Sequence, residues 1–525
     1  MNPAQPVQYD RSDPRKDFLK TDTPPFLLLL SGAVALLYAY VLLFLFSVGN
    51  PFLFALLVVG QAFNLWQVFT FIYTVWDTTS QAPHDDIVLQ PVDVFITVAG
   101  EPVAVVEETV RAAQNMRYPQ FEVYVLNDGF VAGKENWRDI EALASRLGVR
   151  CITRTIPGGA KAGNINNGLR LSASPLVAVF DADHVPHADF LRKTAPYFID
   201  EKVAFVQTPQ FYKNYAQNYL TQGSWEQQEL FFGPICKGKN RLNAAPMCGT
   251  NMLIKREALL EVGGMCTESI AEDLVTGMFL HERGYKSVYH GEVLAEGLAT
   301  EDLLSYSKQQ FRWARGALDL IFRYNLLLRR GLTFAQRVQY LASTSFFMSG
   351  TIVLMHALLP ATFLFTGEMP VEIAGMLLAA VFLPYMFLTL YVIQRSSNFT
   401  FTFPSLGLSM GAWNIHIAAL WAAALRVKSP FSITPKERQQ GFFASLVVWH
   451  LAYVALIAVG IPVALAREGL SAAFVNNFAW AMINVAIFIP FIKAAFPSTS
   501  AIPQRPRRAV PAAPAMTYGN KRDRK

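Results

Sequence analysis

Residues 23–76 contain no Asp, Glu, Lys or Arg. A charge-free run of that length is long enough for two helical spans of ~20 residues each. Gly49-Asn50-Pro51 interrupts it midway, as the turn of a helical hairpin would. The run is too long for a cleavable signal peptide, and no small-residue cleavage site leads from it into a soluble domain. Further uncharged runs cover 338–367, 373–394, 396–425, 439–466 and 469–492. Charged residues make up only 16% of the chain and hydrophobic ones 52%, against about 25% charged in an average soluble domain. The chain is therefore read as a multi-pass membrane protein. Its net charge of +6 is mild for 525 residues and gives no reason to expect nucleic acid.

Charge between the runs sets the sidedness. The loop holding Glu368 and Glu372 has no Lys or Arg, and Arg467 is the only basic residue in its turn. Arg395, the segment from Arg426 to Arg438 and the tail from Lys493 are basic. Basic segments stay in the cytoplasm. That pattern predicts spans at 23–76 (two), 338–394 (two) and 442–493 (two). The stretch 395–441 is then a re-entrant or interfacial helix and a loop. Segments 1–22 and 494–525 are cytoplasmic, and the protein sits in the cell (inner) membrane with its central domain inside. Seven spans with an external tail is the alternative. Cys151, Cys236, Cys248 and Cys266 form no CxxC pair, so a zinc site or disulfide framework is not expected. Scattered thiols suit a reducing cytosolic face.

Residues 90–300 read as α/β. Val92 to Val98, Phe121 to Leu126, Arg150 to Thr155 and Leu176 to Phe180 are strand-like, and helical spacing runs over Val106 to Met116 and Glu135 to Leu147. Alternating strands and helices predict a mainly parallel sheet, with ligands at the carboxyl ends of the strands. Those ends carry Asp128 and the pair Asp181-Ala182-Asp183. Two carboxylates at i and i+2 suit a magnesium ion that keeps substrate phosphates as its other ligands. A DxD alone is equally a solvated turn. Lys161 lies beside Ala162 and Gly163, where a backbone can approach a diphosphate closely. Glu272-Asp273 opens a helix, where acids also occur simply as N-terminal charges. Gln309, Arg312 and Trp313 fall on a basic amphipathic stretch, 301–337, just before the membrane. Such a stretch lies on a membrane surface with Arg and Trp as anchors. Arg can also clamp a diphosphate, and Trp can stack on a sugar.

Taken in order, Asp128, Asp181-x-Asp183, Glu272-Asp273 and Gln309-x-x-Arg312-Trp313 form a D, DxD, ED, QxxRW series. The series resembles that of the processive family 2 glycosyltransferases, and most of all the bacterial cellulose synthase catalytic subunits. Phe180 to Pro186, Val206 to Pro209, Cys248-Gly249-Thr250 and Phe431 to Lys436 look like further pieces of that family. The resemblance runs from about residue 90 to 440. It implies a GT-A-type α/β cytoplasmic glycosyltransferase domain inserted in an α-helical multi-pass membrane domain of about six spans plus interfacial helices. It implies Mg²⁺ or Mn²⁺ as cofactor, a UDP-sugar donor and a growing polysaccharide crossing the lipid bilayer. A periplasmic or cell-envelope partner subunit is also implied.

By the same resemblance, Thr97, Glu101, Asp128, Lys161, Asp181, Gln309 and Arg312 hold the donor, and Asp181 and Asp183 the metal. Asp273, with Glu272 beside it, is the general base. Trp313, Cys248, Gly249 and Thr250 form the acceptor mouth. Phe431, Thr434 and Lys436 form a gating-type loop. Three departures stand out. Asn127 replaces the first acid of a DDG motif, Ala271 replaces the Thr of TED, and the tail leaves no room for a PilZ domain. The expected reaction is processive, inverting synthesis of a cellulose-like β-glucan from UDP-glucose. Alternatives are another β-linked polymer (mixed-linkage, β-1,3-glucan or N-acetylglucosamine) and a non-processive transferase acting on a lipid carrier. A transporter or inactive scaffold is the reading from a different class, but intramembrane acids, common in transporters, are absent from the runs.

Overall fold

The computed structural model describes residues 23–79, 90–372, 375–427, 439 and 441–496. Seven strands form the central sheet: β1 (Val92–Val98), β2 (Phe121–Asn127), β3 (Arg150–Thr153), β4 (Leu176–Asp181), β5 (Val203–Gln207), β6 (Met252–Lys255) and β7 (Lys286–Tyr289). Their order is β7-β5-β6-β4-β1-β2-β3. Only β6 runs against the others, pairing antiparallel with both β4 and β5. Strands buried on both faces read as near-continuous apolar runs, and β1 is buried at all seven positions. Its side chains alternate between two cores. Val92, Val94, Ile96 and Val98 pack on one face and Phe95 on the other.

The sheet register positions the site. Thr97 on β1 lies opposite both Leu126 on β2 and Asp181 on β4. The carboxyl ends of three adjacent strands therefore meet at one edge. The opposite edge is pinned by a buried ion pair. Asp93 accepts from Arg256 Nη2 at 2.7 Å and from Ser174 N at 2.9 Å.

Five helices among the described residues are long and apolar enough to cross a membrane: Pro25–Phe44, Pro51–Val75, Ser349–Thr366, Ala444–Glu468 and Ala472–Ala494. A further 22-residue helix, Gly375–Ser396, runs beside Pro25–Phe44. The first hairpin turns where the sequence broke. Asn50 caps the second helix by accepting from Phe52 N and Leu53 N, with Pro51 in the first position, where its missing N–H leaves no lost bond. This turn pairs with the loop before Gly375. Asn50 N donates to Met369 O at 2.8 Å and Asn50 Nδ2 to Glu368 at 3.3 Å. Arg467 joins the same end by donating to Phe363 O at 2.9 Å. Helix Pro51–Val75 meets the sheet domain at its other end, where Arg241 donates to Tyr73 O at 2.8 Å.

Two uncharged runs are subdivided. The run 338–367 holds the end of helix Phe334–Phe346 and all of Ser349–Thr366, with a break at Phe347–Met348. The membrane-length helix thus starts at Ser349. The run 396–425 forms two short helices, Phe403–Gly411 and Trp413–Ala424. The first is tied to the sheet domain, since Glu226 accepts from Thr402 N and Oγ1 at its amino end. An acid there satisfies donors that the helix leaves open.

Helix Cys236–Arg241 of the sheet domain docks on Pro51–Val75 through Gly238, where a Cβ would run into the Thr74 carbonyl. Backbone cannot step aside as a side chain can, so Gly238→Ala should destabilise the protein by about 1–3 kcal/mol. The check is the thermal unfolding midpoint of the detergent-solubilised chain, which should drop by several degrees. An unchanged midpoint would show that this docking tolerates a shift.

Candidate active site

The carboxyl edge of the sheet opens into a cavity of about 650 Å³. Its walls include Thr97, Glu101, Asp128, Lys161, Asp181 and Asp183 from the sheet side. Cys248, Gly249, Glu272 and Asp273 come from the loop after helix Cys236–Arg241 and from the amino end of helix Glu272–Glu282. Gln309, Arg312 and Trp313 come from helix Leu303–Phe322. Residues some two hundred positions apart in sequence are thus brought to one space. Phe431, Thr434 and Lys436 lie outside the described residues.

Asp181 ends β4, and its carboxylate accepts from Lys161 Nζ and, at 3.2 Å, from Thr97 Oγ1. Asp183 is buried and accepts from Leu298 N at 3.3 Å. Asp181, Asp183 and His184 each offer a ligand atom, all within 4.8 Å of one another. Neither ring nitrogen of the buried His184 has a hydrogen-bond partner among the described residues. Two carboxylates suit a hard divalent ion such as Mg²⁺ or Mn²⁺, so the residues fit a divalent cation.

Thr250 departs from its expected place. It is 1% exposed, outside the cavity wall, and its hydroxyl accepts from Asp181 N at 2.9 Å and contacts Asn251 Oδ1 at 3.2 Å. It props the end of β4 from beneath rather than facing the cavity. Gly249 does lie on the wall. Its φ of +79° suits glycine, and a Cβ would sit 2.8 Å from Asp273 Oδ2. Its carbonyl accepts from Lys161 Nζ at 2.7 Å. Gln207 orders this loop by accepting from Cys248 N and donating to Thr250 O, both at 2.8 Å.

Asp128 is held by a residue that the sequence did not single out. Arg154 grips it with Nε at 2.8 Å and Nη2 at 2.5 Å, and also donates to Gly158 O and Ala160 O. Burial raises the Asp128 carboxyl above its ordinary range while Arg154 pulls it back. The only sequence signal was a basic residue directly after β3. Asn127, in place of an acid, has a structural job. It donates to Trp137 O and accepts from Gly129 N, each at 2.9 Å.

The two acids opening helix Glu272–Glu282 differ. Asp273 Oδ1 accepts from Leu274 N at 2.8 Å. Burial raises its carboxyl, opposed by that N–H and by Lys161 and Arg312. Burial and then the neighbouring Asp273 push Glu272 further, from an ordinary 4.5 to about 7. Ala271, just before, packs on Gly316, where a Cβ would collide with it. Helix Leu303–Phe322 therefore sits hard against the start of the acid pair.

A carboxyl whose folded pKa lies above its unfolded one keeps more protons folded than unfolded between the two values. Its stability contribution is fully present below about 4.5 and is lost as pH rises through about 7. Glu272→Gln removes that loss. The wild-type unfolding midpoint should therefore fall more between about pH 5 and about pH 8 than the variant's. Parallel curves would show that Glu272 does not titrate in that window.

Comparison with known proteins agrees with this geometry. A family model described as "Glycosyltransferase like family 2" matches residues 90–316, and one described as "Cellulose synthase" matches residues 260–398. The UDP-forming cellulose synthase catalytic subunit of Xanthomonas axonopodis pv. citri is 38% identical over 275 residues, covering 51% of this chain and 37% of the relative. That of Pseudomonas fluorescens is 35% identical over 302 residues, covering 56% and 40%. That of Komagataeibacter sucrofermentans aligns over 473 residues at 28% identity, covering 83% and 61%. The chain thus spans about two fifths of the length of the first two relatives. A solved mannosyltransferase from Pyrobaculum calidifontis, in complex with GDP-Man and Mn²⁺, superposes with a TM-score of 0.52 at 16% identity, covering 72% of this chain and all of that one. At that identity the likeness is one of fold, and the fold is of the GT-A type. Residues 90–316 are thus similar to the family 2 glycosyltransferases, and residues 260–398 to the cellulose synthases.

Proposed function

We propose that the chain is a processive, inverting hexosyltransferase that polymerises a cellulose-like β-glucan from UDP-glucose and passes it through the membrane helices. One observation carries the reading. Asp128, Asp181, Asp183, Asp273, Arg312 and Trp313 line a single cavity, on a domain docked to apolar helices.

In this reading Thr97, Glu101 and the Arg154-braced Asp128 hold the nucleoside. Lys161, Gln309 and Arg312 face the diphosphate. Asp181 and Asp183 hold Mg²⁺ or Mn²⁺, which when bound supplies positive charge for the departing diphosphate. Asp273 takes the proton from the acceptor's terminal hydroxyl. That oxygen attacks the anomeric carbon from the face opposite the diphosphate, and the bond to the diphosphate oxygen breaks. One displacement turns an α-linked donor into a β-linked product. Arg312 offsets the charge left on the diphosphate. Asp273 suits the base because its N–H partner favours the ionised form. Trp313 packs the terminal sugar, with Cys248 and Gly249 at the acceptor mouth.

A hydroxyl-rich chain crosses bare lipid only at great cost, so a protein-lined exit among the helices follows. Arg395, Arg426 and Lys493 lie at helix ends away from the Asn50, Glu368 and Arg467 cluster. By the positive-inside tendency, the sheet domain then faces the cytoplasm and the polymer leaves toward the envelope, where a partner subunit could receive it.

The reconstituted protein with Mg²⁺ and radiolabelled UDP-glucose should yield high-molecular-weight product cut by a β-1,4-glucanase. Product cut only by a β-1,3-glucanase would change the linkage. Label in lipid alone would favour transfer to a carrier. Asp273→Asn should lower turnover by about 10²–10⁴-fold with donor binding retained; wild-type synthesis by that variant would remove Asp273 from the role.

A further inference from the structure

Lys161 stands where two sets of acids meet. Its Nζ donates to the Asp181 carboxylate and, at 2.7 Å, to Gly249 O. The same Gly249 backbone lies against Asp273. The ammonium is held above its ordinary range. Burial works against its charge, but Asp181, Glu272 and Asp273 together outweigh burial. Asp181 is also one of the three residues whose ligand atoms converge within 4.8 Å. One carboxylate is therefore the counter-ion of a buried lysine and, in the proposed function, a ligand for a divalent cation. A bare cation arriving at Asp181 meets a positive charge already hydrogen-bonded there, with the low effective dielectric of a partly buried site strengthening the repulsion.

A diphosphate entering the cavity gives Lys161 a further anion beyond Asp181, Glu272 and Asp273. Lys161 lies in the first turn of helix Ala160–Arg170, after the Gly158-Gly159 turn, and its side chain is 17% exposed, facing the cavity. A diphosphate brings negative charge that the ammonium can follow, which frees the Asp181 oxygen for the cation.

We propose that Lys161 is a specificity-determining residue that makes the site accept a divalent cation together with a nucleoside diphosphate and reject the cation alone. This rests on the reading that the cavity binds a nucleoside diphosphate sugar, and it adds an exchange in which Lys161 and the cation compete for Asp181. The coupling is reciprocal, so the cation and the diphosphate each raise the other's affinity through the release of Lys161. The arrangement would keep free metal from occupying the site while no donor is present.

The test uses the full-length protein in lipid nanodiscs, with Mn²⁺ binding followed by the loss of its free-ion electron paramagnetic resonance signal. No sugar transfer is needed, so failure of polymer synthesis leaves this result readable. Without nucleotide, Lys161→Met should bind Mn²⁺ about tenfold more tightly than wild type. Lys134→Met, which removes a charge from the same cavity wall, should leave Mn²⁺ binding unchanged. Adding UDP should raise wild-type affinity for Mn²⁺ more than that of Lys161→Met. Equal Mn²⁺ binding by wild type and Lys161→Met, an equal gain in Lys134→Met, or an equal effect of UDP on both proteins would overturn the proposal. If Lys161→Met fails to fold, wild type alone decides. Saturating Mn²⁺ without nucleotide should raise acetylation of Lys161 by about threefold, read by mass spectrometry, with Lys134 unchanged. Unchanged Lys161 acetylation with Mn²⁺ bound would overturn it as well.

Discussion

Helix Leu303–Phe322 touches both halves of the molecule, and the site exists only because it fits between them. On one side Gly316 leaves room for Ala271, immediately before the acid pair. On the other, Ala314 and Leu318 pack against Ala419 and Ala423 of Trp413–Ala424. Small residues on both helices let the backbones approach closely. The amino end is fixed as well. Asp302 accepts from Ser305 N at 2.8 Å and from Gln439 N at 3.0 Å. With the helix so placed, Gln309, Arg312 and Trp313 face Asp181 and Asp273 across the cavity. In the proposed function, a small rotation would carry Arg312 away from the diphosphate, and misplacement on that scale is costly in transfer reactions.

The electrostatics explain why so many acids tolerate one another. Asp128, Asp181, Asp183, Glu272 and Asp273 share the cavity wall with Lys161, Arg154 and Arg312. Desolvation disfavours each charge alone. Arg154 offsets it at Asp128 and Lys161 at Asp181, while burial raises the Glu272 carboxyl. In the proposed function, the ligand that enters this site carries both a divalent cation and a diphosphate. That pair adds opposite charges together and disturbs the balance less than either alone.

Much of this was legible in the residues. The ends of β1, β2 and β4 could be read because each strand is a short apolar run followed by polar residues, and parallel strands place those ends together. The hairpin break at Gly49-Asn50-Pro51 was legible because Pro and Asn carry local conformational preferences. Arg154 was not legible, since a lone Arg after a strand looks like any surface charge until Asp128 is found beside it. The place of Thr250 behind the cavity wall was hidden for a related reason. Its neighbours Cys248 and Gly249 line the wall, and only the fold shows that its hydroxyl turns inward to Asp181 N. The breaks at Phe347–Met348 and at Ala412 were also hidden, because hydropathy counts apolar residues and says little about helix direction.

The sequence by itself determined that apolar runs flank an α/β domain, which strands carry acids at their carboxyl ends, and the order of the chemical groups along the chain. These follow from hydrophobic periodicity and local propensity, which act over a few residues and are written in neighbouring positions. Tertiary structure alone decided which acid is braced by Arg154, which are raised by burial, and which shares Lys161. Those outcomes depend on burial and on distances between residues far apart in sequence, and desolvation and Coulomb interactions take their magnitude from three-dimensional position.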